Sequence, residues 1–521
     1  MIHPGHLVAL VLLALVMASL SGLSLAGGRG ADLGSIAPYV AALIRGAAWQ
    51  ALLSTLVSMS FGALLALAML RRPAFPGRAL LMALMGAATV APAIVVVFGM
   101  VAVYGRQGYA NALLGWTGFT LPSVYGLHGI VLAHVLLNAP FIARALLVAF
   151  EREPAEHSRL ALALGFKPRD MFRLVDWPVL RRELPGLAAL TFLLCFTSFA
   201  IVLALGGGPA NATLEVAIYE ALRVEADFAR AAALAAVQLG LSMALVALLA
   251  MTQVPIARSE AGIGRTLSRP DANLLGLRVV DAMVILLAIL FIAPPLLSVL
   301  EGLSALPVLL GGETMIGLRN SLMLALAAGA LATVLAVLLA LAARPPLSGQ
   351  PGAWRMQLPE LVAFALLGLP PMAFVAGLYV LLRGLAPPEM LGFMLVPLVN
   401  ALMALPFAWR LLAPAAKASQ ERHGRLAASL GLTGLARLRL VDGPALRAPA
   451  LSAFALGAAL SFGDYGVISL FGGGDLVTLP SLLAERLGSY RMQEAAALAL
   501  VLVAGAGLLA HGADRAAKAS T

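Results

Sequence analysis

Long apolar runs alternate with short polar connections along the whole chain. A helix rises 1.5 Å per residue, so about 20 apolar residues cross roughly 30 Å of hydrocarbon. Twelve stretches meet that measure: 7–26, 48–70, 80–105, 125–149, 185–206, 229–252, 279–300, 320–343, 358–382, 391–414, 449–471 and 494–512. The pattern predicts an all-α polytopic membrane protein with about 12 transmembrane helices. The first run has the length of a secretory signal, but only His3 and His6, and no Lys or Arg, precede its apolar part. Its removal would leave eleven spans, so it is read as an uncleaved anchor.

Composition agrees with the pattern. Of 521 residues, 61% are hydrophobic and 12% charged, with a mean hydropathy of +0.96. A soluble domain carries about twice that share of charge. The 51 Gly and 31 Pro are tolerable because neighbouring helices re-satisfy backbone groups freed at breaks. The single cysteine, Cys195, excludes an internal disulfide or a CxxC metal site and is read as a packed core residue.

The net charge of +10 would suggest nucleic acid in a soluble protein. Its distribution suggests topology instead. With the N-terminus inside, the segments 71–79, 150–184, 253–278, 344–357, 415–448 and the tail hold 24 Lys or Arg, against nine outside. Positive charge retained on the cytoplasmic side fixes this orientation, with both termini cytoplasmic and no nucleic-acid partner required.

An internal repeat divides the chain. Residues 159–178 read RLALALGFKPRDMFRLVDWP and residues 425–444 read RLAASLGLTGLARLRLVDGP. At an offset of 266, Arg159, Leu160, Ala161, Leu164, Gly165, Arg173, Leu174, Val175, Asp176 and Pro178 all recur. So do Pro140, Arg144, Phe196 and the triple glycine 206–208, whose counterpart is 472–474. Upstream, Pro92 and Gly99 pair with Pro370 and Gly377 at 278, so a loop near 106–124 is about 12 residues longer in the first half. The predicted organisation is a fused pseudo-dimer of two parallel six-helix repeats, residues 1–265 and 266–521, each with a charged inner loop (150–184 and 415–448).

That loop is long for a helix connector. It reads as a short helix (156–164), a glycine stop, a basic amphipathic segment (166–175) and a proline opening the next span. A surface hairpin among lipid headgroups would have the same composition. A rigid charged protrusion repeated in ten of twenty positions instead suggests one shape presented twice, to a two-fold partner. The frame from Ala161 through Gly165 to Pro178, repeated by Ala427, Gly431 and Pro444, resembles the EAA loop of type I ABC import permeases. Arg159 and Arg425 stand where that family usually has Glu, and Leu160 and Leu426 where it has its first Ala. Among fused two-half permeases, the chain is similar to those for thiamine and thiamine pyrophosphate. The resemblance is carried by FGMVAVYGRQGY (98–109), YGLHGIVLAHVLLNAPFIAR (125–144), LCFTSFAIVLALGGGP (194–209), SFGDYGVISLFGG (461–473) and LGSYRMQEAA (487–496). Fused permeases for ferric iron, and more distantly for polyamines or sulfate, share the loop frame.

The resemblance implies a bacterial inner-membrane subunit with three further components. Two copies of an ATPase would grip the loops through Arg159, Ala161, Gly165, Pro178, Arg425, Ala427, Gly431 and Pro444, and would bind the ATP and Mg. A periplasmic binding protein would deliver a small cationic substrate. The chain itself shows no Walker, HExxH, GxSxG or Cys/His metal pattern, so no catalytic or cofactor site is expected in it.

Ionisable groups inside spans are costly and therefore candidate sites. Asp464 is mid-span, beside Tyr465; their counterparts are Ser198 and Phe199. Two readings fit: a carboxylate among aromatics that attracts a thiazolium cation, or an Asp bonded to backbone beside Gly463. His134, Asn138 and Asn400 are read first as making interhelical hydrogen bonds, with a place on the path as the alternative. Asp281, near the inner end of its span, is expected to snorkel or pair with Arg278. Gly206, Gly207, Gly208, Gly472, Gly473 and Gly474 end the fifth and eleventh spans on the outer side, as a gate or as plain loops. Tyr104 and the GRQGY that follows are placed outside. A self-sufficient ion-coupled carrier is the rival function; it would be expected to use several embedded carboxylates or histidines, and Asp464 is the only mid-span acid.

Overall fold

The computed structural model describes residues 4–26, 33–153, 155–251, 269–345, 353–471 and 476–519. Gly472, Gly473 and Gly474 lie outside the described residues. Among those described there is helix and no strand, as the apolar solvent requires: a helix satisfies its backbone groups within its own segment.

In the first half the helices are α1 (Pro4–Ala26), α2 (Leu33–Arg71), α3 (Arg78–Val90), α4 (Ala93–Tyr104), α5 (Tyr109–Leu114), α6 (Leu127–Glu151), α7 (Ala155–Ala163), α8 (Pro168–Met171), α9 (Trp177–Phe196), α10 (Ala200–Leu205), α11 (Leu214–Arg223) and α12 (Phe228–Met251). The second half continues with α13 (Leu275–Leu297), α14 (Gly312–Ala342), α15 (Ala353–Ala365), α16 (Pro371–Leu382), α17 (Pro388–Ser429), α18 (Gly434–Arg437), α19 (Gly443–Phe462), α20 (Gly466–Phe471), α21 (Leu479–Gly488) and α22 (Met492–Ala519).

All twelve predicted runs fall on helix, but four are broken. The third parts at Pro92 between α3 and α4, and the ninth turns by 99° between α15 and α16, where Pro370 precedes the second piece. Proline has no N–H to continue the ladder, and the residue before it disfavours helix. The fifth and eleventh runs part at residues 197–199 and 463–465. By length and composition, nine helices among the described residues can cross a membrane, or ten if the bent pair is one span. With the bent ninth run taken as one span, two of the twelve expected spans are not among these. The described apolar part of α1, Pro4–Ser19, is short, and α9 carries Arg181, Arg182 and Glu183 in its first half.

The first helix of each half packs on the other half. α1 lies against α14, α15 and α16, and α13 lies against α2, α3 and α4. The recurring glycines sit at points of close approach in these crossings. A Cβ on Gly99 would stand 2.3 Å from the Pro295 carbonyl oxygen of α13, and one on Gly377 would stand 2.2 Å from the Ser19 carbonyl oxygen of α1. The Ser19 hydroxyl donates to the Phe374 carbonyl at 2.9 Å across the same contact. Small residues at helix crossings let backbones approach closely, which is how helices gain contact in lipid.

Candidate functional site

The two repeated loops have closely matched backbones. After α7, Gly165 is left-handed (φ +65°) and the Phe166 N–H donates to the Ala161 carbonyl at 3.0 Å. At the end of α17, Gly431 has φ +64° and the Leu432 N–H donates to Ala427 at 2.9 Å. This is the Schellman arrangement, and it explains why alanine and glycine recur four apart: the alanine carbonyl receives the closing bond and its methyl is buried. Arg159, Leu160 and Leu164 stand exposed on the first helix, and Arg425, Leu426 and Leu430 on the second. Each loop thus presents one guanidinium and two leucines at the same relative positions.

The predicted basic segment 166–175 resolves into α8 and a π-turn, Phe172–Asp176, with its counterpart at Leu438–Asp442. The Trp177 N–H reaches back five residues to Phe172, and the Gly443 N–H to Leu438. Pro178 and Pro444 follow in the first turns of α9 and α19. A proline leaves the carbonyl four residues earlier without its helical donor, and the wider turn sits at that place. The second loop has no separate short helix, because α17 runs unbroken for 42 residues through it. Its internal prolines, Pro397, Pro406 and Pro414, do not end it.

Sequence reading noted Asp176 and Asp442 only as repeated letters. Both are buried and ion-paired. Arg269 binds Asp176 through two bonds, at 2.9 and 2.8 Å, and also holds Asp271 at 3.0 Å. Arg344 binds Asp442 at 2.6 Å, and Arg437 lies 3.3 Å from the same carboxyl. Burial opposes the charge on Arg269, yet the hydrogen bonds and charges of its two carboxylates hold its pKa above the ordinary value. For Arg344, burial outweighs the pull of Asp442, and its pKa is lowered. Asp281 is fully buried and held by Arg71 at 2.9 Å and Arg72 at 3.0 Å, so snorkelling is excluded and the partners include the end of α2.

Around the breaks, Asp464 accepts the N–H groups of Gly466 and Val467, each at 3.1 Å, and so caps α20. It also borders a small cavity with Ser321, Ser461 and Thr478. Phe199 is brought to it: a Cβ on Gly466 would lie 3.4 Å from the Asp464 carboxyl and 3.6 Å from the Phe199 ring. Phe199 also meets Tyr219 edge-on at 5.4 Å, and α11, which bears Tyr219, packs against α20 just after Tyr465. Ser198 offers its carbonyl to the Thr213 hydroxyl at 3.3 Å. His134 contacts Gln50 and Ser54 of α2, each at 3.0 Å. Asn138 donates to the Cys195 sulfur at 3.4 Å, and Asn400 to the Ser461 hydroxyl at 2.9 Å. The bonds of His134, Asn138 and Asn400 all run between different helices. Gly207 (φ +70°) and Gly208 (φ +123°) turn the chain out of α10, Gly206 being its C-terminal cap. Tyr104 stacks near Phe291 of α13, with ring centres 6.4 Å apart. Sequence reading missed Glu215, which falls between the apolar runs 185–206 and 229–252. It is fully buried, and its carboxyl accepts the Met372 N–H at 3.1 Å at the start of α16.

Broken apolar helices around an acid and aromatics, with two matched charged loops, make this a multi-spanning helical protein. No family model matches the chain. Over 504 residues it is 41% identical to the thiamine transport system permease protein ThiP of Brucella melitensis, covering 96% of this chain and 92% of that protein. The Escherichia coli protein of the same name is 40% identical over 477 residues, 89% of this chain and 87% of that one. The Haemophilus influenzae protein is 34% identical over 476 residues, 90% and 88%. The chain belongs to the family of thiamine transport system permease proteins.

Proposed function

We propose that the protein is the transmembrane subunit of an ABC importer for thiamine or thiamine pyrophosphate in a bacterial inner membrane. The observation that carries this reading is family membership along nearly the whole chain. Residues 1–265 and 266–521 act as two parallel repeats, with both termini cytoplasmic. A periplasmic binding protein delivers the substrate to the outer face, near Gly206, Gly207, Gly208 and residues 472–474. Two copies of a separate ATPase bind ATP and its Mg and grip the loops. Leu160 and Leu164, with Leu426 and Leu430, supply the apolar contact there, and Arg159 and Arg425 the charge. Nucleotide binding favours one access state over the other by its differential affinity for the two.

This chain contributes shape and electrostatics. A thiazolium ring passing the breaks would meet the faces of Phe199 and Tyr465 and the Asp464 carboxyl, a cation–π and charge pairing suited to a delocalised cation. Ser198 lines the equivalent position of the other half. The test is ATP hydrolysis by the reconstituted complex with its binding protein loaded in turn with thiamine, ferric iron or spermidine. Stimulation by thiamine alone supports the reading; stimulation by iron or spermidine instead assigns a different cargo.

A further inference from the structure

Both loops end in a buried carboxylate, and both carboxylates lead to the end of the second helix of a half. In the second half the link is direct. Asp442 binds Arg344, which follows α14 and also donates to the Leu341 carbonyl at 3.0 Å. Arg437 shares Asp442, hydrogen-bonds Gln420 of α17, and Gln420 in turn donates to the Pro345 carbonyl at 3.0 Å. The Ser419 hydroxyl reaches Asp442 at 3.4 Å. Loop, α17 and the end of α14 are thereby one knot.

The first half reaches the same place by a longer route. The Arg–Pro pair ending α14, Arg344–Pro345, has its like after α2 in Arg72–Pro73. Arg72, with Arg71, is committed to Asp281 of α13. Arg269, just before α13, takes its place at Asp176. Arg269 is held by Asp271, and the Ala272 carbonyl of that short turn accepts from Arg72. The chain of contacts runs from Asp176 through Arg269, Asp271 and Arg72 to the end of α2.

Buried ion pairs are seldom kept for stability, because well-packed apolar residues serve as well or better. Here the same carboxylate sits at the same point of both loops while its arginine comes from different segments. What the two halves share is the connection from loop to second helix.

We propose that Asp176 and Asp442 are positioning residues that tie each ATPase-facing loop rigidly to the end of α2 or α14, so that loop movement becomes helix movement. Arg269 makes the segment joining the halves part of the first tie. This rests on the function proposed above, and the experiment separates the two. The complex with its ATPase and binding protein is reconstituted for the unsubstituted chain, for Asp176→Asn with Arg269→Gln, and for Asp442→Asn with Arg344→Gln. Each pair removes both charges of its Asp–Arg bond; Asp271 in the first and Arg437 in the second lose a partner, so co-purification of the ATPase is the control for folding. Thiamine moved per ATP hydrolysed is expected to fall about tenfold in each, while the ATPase still co-purifies. Spin labels on the exposed positions Glu156 and Ala74 report the first tie without reference to cargo. Their distance distribution is expected to be narrow in the unsubstituted chain and broad in Asp176→Asn/Arg269→Gln. An unchanged thiamine-to-ATP ratio in both pairs overturns the inference. If the unsubstituted complex moves no thiamine, the proposed function fails and the labels decide: equal widths overturn the tie, and broadening supports it.

Discussion

At the scale of single residues, Gly99 and Gly377 show how a repeat in the letters acquires a physical cause. Each lies where the first helix of the opposite half comes within contact of backbone, and a methyl at either would stand 2.3 or 2.2 Å from a carbonyl oxygen. Gly99→Ala and Gly377→Ala should each cost about 1–3 kcal/mol, the usual range for overpacking, read as a lower unfolding temperature in detergent. Gly165→Ala involves no such clash, since nothing lies within 4 Å of its Cβ position. The ion-paired aspartates should differ from one another. Asp442→Asn deprives Arg344 of its carboxylate, at roughly 3–5 kcal/mol for a broken buried pair. Asp176→Asn leaves Arg269 paired with Asp271, so its loss should be smaller. Unfolding midpoints of the two variants measure the difference. The sequence displayed both aspartates in its repeat but not their partners, which lie 93 and 98 residues away. Glu215 was hidden for a similar reason: its partner is a backbone N–H 157 residues on, and a polar loop assignment gave no sign of burial.

At the scale of elements, apolar periodicity placed helix under every predicted run, and proline placed two of the four breaks. The other two breaks, at 197–199 and 463–465, carry no proline, and α17 passes three prolines unbroken. Whether a proline ends a helix in lipid depends on which neighbour satisfies the freed carbonyl, and that is tertiary information. The Ala–Gly–Pro frame was legible in full, and the loops obey it. Because Gly165 and Gly431 need only a left-handed backbone, substitution by Asn should retain ATPase co-purification from membranes. Val at both positions should abolish it, since left-handed backbone costs roughly 1–2 kcal/mol for an ordinary residue and more for a β-branched one. Equal co-purification of the Asn and Val variants would show that loop shape is not what the ATPase reads.

At the scale of the whole molecule, the two halves are interlocked by exchange of their first helices, and the polar chain from Asp176 to Arg72 crosses the same seam. Residues 1–265 and 266–521 made as separate chains should therefore assemble and co-purify, because each supplies a helix the other half lacks. Family, helical class and paired loops were all readable from the letters, whereas the exchange was not, since identical amphipathic faces serve a helix packed within a half or across it. In the function proposed, the chain moves thiamine by ATPase-driven alternation and not by an ion gradient. Uptake of labelled thiamine into proteoliposomes holding the permease, its ATPase and its binding protein tests this most directly. Uptake is predicted to require ATP on the loop side and binding protein on the other, and to be indifferent to a proton gradient; uptake that follows the gradient without ATP would contradict the account.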